Sequence, residues 1–348
     1  MLSPKDSALG KQLDQYVCVR IVRMDNVDVG LFERDWNNAI YFFALNADEQ
    51  IYLRYGGRDA ASADTYLNLN SLELALKKGL ELHRQYQKGE LKKVERPKPF
   101  LPREIPLLVE RTIRQRQCVE CHLIGDYQNL QREQQGTLDK LSQMYRSPDI
   151  KTIGIYLDVP QGLVVKEAQG AAQAAGAKPG DCIAALEGNT VWTFADLQYQ
   201  YDKVDRRAGK LHLNVDRGGR SVDLTIALPA RWWWTNLTFR QSSVDPRAYF
   251  EDRPLSDEEK RKLGLKPESF ASQVKYVAEF AKIVKSHDLR VGDVIAAVDG
   301  VDHDEFANTA ELYIKLHKTP GDSATLDVIR DGQRLKMPLK TFRMNFRK

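Results

Sequence analysis

At 348 residues and 39.7 kDa, the chain is too long for one ordinary hydrophobic core, and about two to four domains are expected. Its composition, 42% hydrophobic and 29% charged, is typical of a folded globular protein, and no apolar run approaches the ~18–20 residues that would cross a bilayer. The net charge is +4, with a basic stretch between Lys77 and Arg116. No nucleic-acid motif accompanies this stretch, so we interpret it as a solvated surface and expect no nucleic-acid partner.

Residues 1–90 show alternating strand-like and helical patterns, and the opening residues lack the apolar core of a signal peptide. Tyr16–Val22 alternates and is rich in β-branched residues, which predicts a strand with Cys18 buried at its middle. Ala39–Leu45 is continuously apolar, as in a buried central strand, and Ile51–Tyr55 is expected to pair with it as a hairpin.

The hairpin and a helix predicted over residues 70–87, together with the stretch FFALNADEQIYLRYGGRD, resemble the second half of a thioredoxin fold in secreted bacterial proteins. The parts that carry thioredoxin chemistry are missing. There is no C-x-x-C at the head of a first helix, and Asp35–Asn38 stands where a proline should precede the central strand. Residues 1–90 are therefore predicted to be a degenerate thioredoxin-like domain without dithiol oxidoreductase activity.

Residues 91–148 begin as a proline-rich linker and continue as a predicted helical segment, from about Ile105 to Ser142, that carries Cys118-Val119-Glu120-Cys121-His122. This C-x-x-C-H spacing attaches haem in c-type cytochromes, where each thiol adds across a vinyl group and the histidine binds the iron. It predicts haem c held by Cys118, Cys121 and His122. Met144 is a candidate sixth iron ligand and His83 an alternative, and an open sixth position is equally compatible with the sequence.

The same pentad permits two other readings. The two cysteines could form a disulfide, or they could join His122 in a zinc or copper clip. A closed zinc site takes four protein ligands, so the three side chains of the pentad would need a fourth from elsewhere in the chain.

The remaining chain carries an internal repeat. Lys178–Gly188 (KPGDCIAALEG) matches Arg290–Gly300 (RVGDVIAAVDG), and each stretch predicts a turn, a buried strand and a second turn at glycine. The stretch resembles the signature of PDZ domains, which implies a PDZ domain at residues 149–230 and another at 257–343, joined by a tryptophan-rich connector at 231–256. The predicted fold class is therefore multidomain α/β and α+β: a degenerate thioredoxin-like domain, a helical C-x-x-C-H segment and two PDZ domains that are partly open β-barrels.

A PDZ domain adds an extended peptide to a sheet edge and holds its terminal carboxylate on backbone amides of an apolar-Gly-apolar loop. The predicted peptide-binding loops are Ile153-Gly154-Ile155 in the first copy and Leu263-Gly264-Leu265 in the second. Glycine is expected there because it lets consecutive amides point at one anion. The second loop is the poorer candidate, since a charged Lys-Pro-Glu stretch follows it.

Taken in order, these parts resemble a family of secreted bacterial proteins that join a thioredoxin-like domain to PDZ domains, some with selenocysteine. The resemblance implies a periplasmic or secreted location and a redox theme. The predicted function is a redox-linked scaffold that carries haem for electron transfer or sensing and binds protein partners through its PDZ domains, including a redox partner. The alternative is a purely protein-interaction or assembly module. No protease motif such as G-x-S-x-G is present, and no enzymatic activity is expected.

Overall fold

A computed structural model describes residues 6–38, 40–235 and 242–344. The chain is a mixed α/β protein with several antiparallel sheets. It divides into two compact units, the first made of Met1–Gln128 and Leu141–Leu237 and the second of Asn129–Lys140 and Thr238–Lys348. Within the described ranges, no helix is long and apolar enough to span a membrane.

The first unit begins with a helix, a hairpin and a longer helix. These elements are α1 (Ala8–Leu13), β1 (Tyr41–Leu45), β2 (Ile51–Gly56) and α2 (Leu69–Gln87). Helix α2 starts where the Asn68 side chain accepts a hydrogen bond from the Asn70 amide, and it packs on the hairpin through Leu72, Ala75 and Leu82. The predicted hairpin and helix are confirmed.

Two predictions for this region are wrong. Tyr16–Val22 forms no strand, and its side chains face solvent: Val17 is 94% exposed, and Cys18 is exposed rather than buried. Alternation alone cannot make a strand, because the ladder needs a neighbour and no described segment pairs with this one. The run Ala39–Leu45 is not a central strand, since β1 pairs with β2 alone in the described chain; Ala39 itself lies outside the described residues.

The segment before the repeat is broken into short helices. They are the 3₁₀ turn Pro102–Glu104, α3 (Pro106–Leu108), the π-helical Val109–Ile113, α4 (Cys121–Gln134) and α5 (Lys140–Gln143). The prediction that residues from about Ile105 to Ser142 form a helix is therefore wrong for the segment as a whole. Arg116 has φ 56° and Gly136 has φ 69°, and left-handed residues interrupt helical hydrogen bonding on both sides of α4.

The first repeat copy completes the first unit. Its elements are β3 (Ile155–Leu157), β4 (Val165–Ala168), α6 (Gly170–Ala174), β5 (Cys182–Leu186), β6 (Asn189–Thr190), α7 (Phe194–Tyr201), β7 (Lys210–Asp216) and β8 (Ser221–Ala227). Strands β3 and β4 pair with each other, and the other four form a sheet in the order β6-β5-β7-β8. Trp232 and Trp233 follow, buried against Tyr201 and Tyr145.

The second copy forms one five-stranded sheet within the described residues, in the order β13-β12-β11-β10-β9. Its elements are β9 (Phe250–Pro254), α8 (Asp257–Lys262), β10 (Ser272–Val277), α9 (Glu279–Ile283), β11 (Val294–Val298), α10 (Ala310–His317), β12 (Ser323–Arg330) and β13 (Gln333–Lys340). Strand β9 belongs to this sheet, although it falls in the predicted connector 231–256. The sequence did not predict this strand because FEDRP shows no apolar alternation. Residues 236–241 of that connector lie outside the described residues.

The internal repeat is visible as the same ion pair, between a buried aspartate and a partly exposed arginine, in both copies. Arg217 donates two hydrogen bonds to the carboxylate of Asp181, and Arg330 donates two to Asp293. Each aspartate also accepts the amide three residues before it, which closes the turn that the sequence predicts.

Candidate functional site

The predicted loop of the first copy lies between a 3₁₀ turn (Ile150–Ile153) and β3. Gly154 has φ +89°, and a Cβ there would lie 2.1 Å from the carbonyl oxygen of Gln169. Its amide donates to the Lys151 carbonyl, and its own carbonyl accepts from the Gln169 amide. Glycine is therefore required by the close approach of two backbones, and its N–H is already used inside the loop.

Helix α7, which follows the repeat signature of the first copy, is covered by residues of its own unit. The ring of Phe194 stacks on Tyr66 with centroids 3.3 Å apart, and a Cβ on Gly57 would lie 2.2 Å from the same ring. The side-chain amide of Gln198 donates to the backbone carbonyls of Arg58 and Ser147. This face of α7 consequently has no room for a second chain without displacement of residues 57–66.

Strand β2 covers the adjoining face of α7. The Arg54 amide donates to the carboxylate of Asp196, the Thr193 hydroxyl donates to the Arg54 carbonyl, and the Arg54 guanidinium lies 3.8 Å from the ring centroid of Tyr199. Burial raises the pKa of Asp196 from its usual value near 3.8 to about 6, although Arg54 and the hydrogen bonds oppose this shift.

The predicted loop of the second copy, Leu263-Gly264-Leu265, lies at the end of α8. The Leu263 and Leu265 amides donate to the Lys260 carbonyl, and the Gly264 amide donates to Arg261. Both leucine side chains pack against the cluster that contains Leu255 and Val294. This is a helix C-cap, and its three amides satisfy helical carbonyls that would otherwise lack donors. An incoming carboxylate would have to break those bonds, so this placement gives the loop a capping role.

The structural counterpart of Ile153-Gly154-Ile155 in the second copy is Ala248-Tyr249-Phe250. Tyr249 has φ +60°, in the left-handed region where Gly154 lies, and its carbonyl accepts the Ala278 amide as the Gly154 carbonyl accepts Gln169. The strand pairs that follow also correspond, because the bulge between β3 and β4 recurs between β9 and β10. Val165 and Val274 occupy equivalent places beside the two Gly-Asp turns.

The sequence pattern missed this loop for two reasons. Tyrosine occupies a position where glycine was expected, and α8 with its Leu-Gly-Leu cap is inserted between β9 and β10, which supplied a false match. The loop could have been found from the Gly-Asp turn at Asp293. Strand β10 lies beside that turn, its antiparallel partner is β9, and the loop is formed by the residues just before β9.

The surroundings of Ala248-Tyr249-Phe250 favour an anion. The amides of Ala248 and Tyr249 have no acceptor among the described residues. Just before them, the Arg247 backbone is held by two hydrogen bonds with Phe342, and buried Arg247 Nε has no hydrogen-bond partner in the described chain. The Arg247 guanidinium approaches Asp245 at 3.4 Å. Two unsatisfied amides beside a guanidinium are groups that bind carboxylates.

The cysteine pentad lies where a loop meets a helix. Cys118 is exposed in the loop, and Cys121 is the first residue of α4. The guanidinium of Arg34 donates a hydrogen bond to Cys121 Sγ and lies 5.6 Å from the ring centroid of Trp36. Trp36 in turn packs against Gly125, one turn into α4. Arg34 is therefore held beside the sulfur by packing as well as by charge.

The other predicted iron or metal ligands lie at separate elements. His122 Nε2 is 3.5 Å from the carboxylate of Glu120, Met144 follows α5 and is half-buried, and His83 shares a hydrogen bond with Tyr52. In the described part of the chain, no group of three or more His, Cys, Asp or Glu side chains is placed to hold a metal ion.

Haem attachment would convert Cys121 Sγ to a thioether at the point where Arg34 donates. Because a thioether sulfur is a weak acceptor and a thiolate a strong one for a guanidinium, the donor around Cys121 does not fit a thioether. The presence of haem therefore stays a prediction from the spacing of the pentad.

No protein-family model matches the chain, and no curated protein matches it. Solved structures that match include a variant of the HtrA-type protease AlgW with a decapeptide, at 20% identity over 38% of this chain and 41% of that one, with a TM-score of 0.26. AlgW with a decapeptide (18%, 38% and 42%, TM-score 0.24) and with a tripeptide (19%, 38% and 45%, TM-score 0.25) also match. The chain spans less than half the length of these structures, and similarity of this extent assigns it no family.

Proposed function

We propose that this chain is a protein-interaction scaffold with two PDZ-like repeat copies, in which the second copy binds an extended polypeptide by its C-terminus. The observation that carries the proposal is the pair of amides at Ala248 and Tyr249, next to the left-handed turn and Arg247, for which the part of the chain that the structure describes offers no acceptor. Backbone amides that converge at such a turn bind a terminal carboxylate, and a guanidinium strengthens that binding.

The strand that follows the turn supports the same function. Strand β9 is at the end of its sheet and pairs with β10 alone within the described residues. A strand at a sheet edge presents N–H and C=O groups that an incoming extended chain can use, and this is how a polypeptide is added to a sheet. The carboxylate would be held at Tyr249 and the residues before it would extend along β9.

The first copy supports the scaffold differently. Its Gly154 amide is used within the loop, and the face of α7 at Phe194 and Gln198 is covered by residues 57–66. We therefore assign the first copy a structural role and polypeptide binding to the second. The thioredoxin-like relationship of residues 1–90, the extracytoplasmic location and a redox partner are retained as predictions of the family resemblance.

The test uses the full-length chain and a library of random decapeptides with free C-terminal carboxylates, immobilised through their N-termini. Bound sequences are then resynthesised with a free or an amidated C-terminus, and their affinities are measured by fluorescence anisotropy. We expect amidation to weaken binding at least about tenfold, because it removes the charge that the amides and Arg247 hold.

Arg247→Glu is expected to weaken the same peptides at least about tenfold, and Arg247→Gln by less. Arg220→Glu is the matched control, because it makes the same charge change on the exposed β7–β8 hairpin of the first copy and should leave affinity unchanged. Failure to retain any peptide, or equal binding of amidated and free peptides, would contradict the proposal.

A further inference from the structure

We propose that Cys118 and Cys121 form a reversible thiol–disulfide pair in which Arg34 stabilises the Cys121 sulfur as the leaving thiolate. This site is independent of the polypeptide-binding loop of the second copy. The proposal rests on the placement of three groups: an exposed thiol, a half-buried thiol three residues later at a helix start, and a guanidinium that donates to the second sulfur.

The two sulfurs have different surroundings, and this difference assigns their roles. Cys118 is exposed and reachable by an external thiol or disulfide. Cys121 is half-buried, begins the 14-residue helix α4, and accepts the hydrogen bond of Arg34. A helix N-terminus and an arginine donor both favour negative charge, and the hydrogen bond strengthens as the sulfur becomes anionic.

The packing around Arg34 makes the arrangement specific. Its guanidinium lies 5.6 Å from the ring centroid of Trp36 and 5.7 Å from that of Tyr41, and Trp36 contacts Gly125 in α4. The arginine is thus placed before the sulfur ionises, which lowers the cost of stabilising the thiolate when it forms.

Oxidation proceeds with a low-molecular-weight disulfide as the oxidant. The Cys118 thiolate attacks one sulfur of that disulfide and releases one small thiol, which leaves a mixed disulfide on Cys118. The Cys121 thiolate then attacks Cys118 Sγ and releases the second small thiol. Two electrons pass from the pair to the external disulfide, and the two protons of the pair end on the released thiols. In the reverse direction, an external thiolate attacks Cys118 and the Cys121 thiolate departs into the hydrogen bond of Arg34.

The experiment equilibrates the full-length chain with graded mixtures of glutathione and glutathione disulfide, in a Cys18→Ser, Cys182→Ser background. After acid quenching, free thiols are alkylated and the peptide that contains Cys118 and Cys121 is measured by mass spectrometry. We expect an intramolecular disulfide whose fraction follows the glutathione ratio. Arg34→Gln should raise the equilibrium constant for disulfide formation about tenfold or more, because it removes a charged donor from the reduced state.

Arg114→Gln is the matched control, since it removes the same charge from an exposed residue just before the pentad and should leave the equilibrium unchanged. Arg34→Lys keeps the charge and should shift the equilibrium constant for disulfide formation by less. It provides a second variant of the same position in case Arg34→Gln misfolds. The proposal is overturned if no intramolecular disulfide forms at any ratio, or if Arg34→Gln and Arg114→Gln shift the equilibrium equally. Covalent haem on both cysteines, detected as a pyridine haemochrome after expression with c-type maturation, would also overturn it.

Discussion

The two repeat copies share an internal frame and differ at the surface where a polypeptide would bind. The frame is the pair Asp181–Arg217 in one copy and Asp293–Arg330 in the other, with the same two hydrogen bonds between guanidinium and carboxylate. At the loop before the first strand, Gly154 uses its amide internally, whereas the amide of Tyr249 has no acceptor within the described residues. Structural conservation of a repeat therefore does not imply that both copies keep the same binding role.

Helices α7 and α10, which are equivalent in the two copies, differ in the same way. Both begin at a threonine whose side chain accepts the amide three residues on: Thr193 accepts Asp196, and Thr309 accepts Leu312. The equivalent position, buried in both copies, is therefore a carboxylate in the first copy and a leucine in the second. In the first copy this carboxylate accepts the Arg54 amide and joins α7 to β2. This face of α7 is therefore an internal contact of the first unit.

Tryptophan fluorescence can follow the first unit separately. All five tryptophans of the chain, Trp36, Trp192, Trp232, Trp233 and Trp234, lie in the first unit. Urea unfolding followed by fluorescence therefore reports the first unit, and far-UV circular dichroism reports both units together.

The largest expected effect distinguishes the two left-handed positions. Gly154→Ala places a methyl group 2.1 Å from the Gln169 carbonyl at φ +89°, and we expect the first unit to lose on the order of 4 kcal/mol of unfolding free energy. Tyr249→Ala keeps a Cβ where one already exists and loses only ring contacts with Phe280 and Phe342, so about 1–2 kcal/mol is expected. Equal losses of unfolding free energy in the two variants would contradict this, because only Gly154→Ala adds a Cβ that clashes with a backbone carbonyl.

The features that depend on neighbouring residues could be predicted from the sequence, and those that depend on tertiary contacts could not. The turns at Asp181 and Asp293 follow from local residues, since a Gly-Asp turn before an apolar strand is a short-range pattern. The loop at Tyr249 could not be found in this way, because its left-handed conformation is imposed by tertiary contacts on a residue that rarely adopts it.

The coverage of α7 was equally invisible in the sequence, because Tyr66 meets Phe194, and Arg58 meets Gln198, only in the fold. The pentad shows the converse. The sequence predicts redox chemistry at these residues, and the group that distinguishes the two cysteines is Arg34, which is remote in sequence. Spacing indicated a class of chemistry here, and only the three-dimensional placement of Arg34 indicates which sulfur would leave.

The second expected effect tests the shared frame. Asp181→Asn and Asp293→Asn each remove the charge from a nearly fully buried carboxylate and leave its arginine without an ionic partner, so about 3 kcal/mol should be lost in each unit. The Arg217 hydrogen bond lowers the pKa of Asp181. The pKa of Asp293 is also lowered: burial raises it, but the hydrogen bonds from Arg330 and the Arg290 amide, with the charges of both arginines, together outweigh burial. The stabilisation is therefore present above about pH 4 and lost as the pH falls through the depressed pKa values.

Urea unfolding at pH 7 measures both variants. Fluorescence follows the first unit, and the second unit is followed as the part of the circular dichroism change that fluorescence does not report. Asp223→Asn, on the exposed hairpin of the first copy, is the control and should change stability by less than about 0.5 kcal/mol. If one copy loses its stabilisation and the other does not, the ion pair is not the common frame of the repeat.

The smallest effect concerns the carboxylate that the first copy has and the second lacks. Burial raises the pKa of Asp196 to about 6, above its usual value near 3.8, so the folded state binds a proton that the unfolded state releases between these pH values. Its contribution to stability is present below about pH 4 and lost as the pH rises through 6. Relative to Asp196→Asn, the wild-type first unit should lose on the order of 2 kcal/mol between pH 4 and pH 7.

The measurement is the difference in unfolding free energy between wild type and Asp196→Asn, followed by tryptophan fluorescence at several pH values. Leu312→Asn in the second copy, followed by far-UV circular dichroism because the second unit has no tryptophan, is the matched control: it is expected to lower stability by the same amount at every pH, because no carboxylate titrates at that position. A pH-independent difference for Asp196→Asn would mean that the carboxylate is ionised in the fold throughout. Asp196 would then form an ion pair with Arg54, whose guanidinium lies 3.8 Å from it, at every pH tested. The contact between β2 and α7 would then contribute no pH dependence to the unfolding free energy of the first unit.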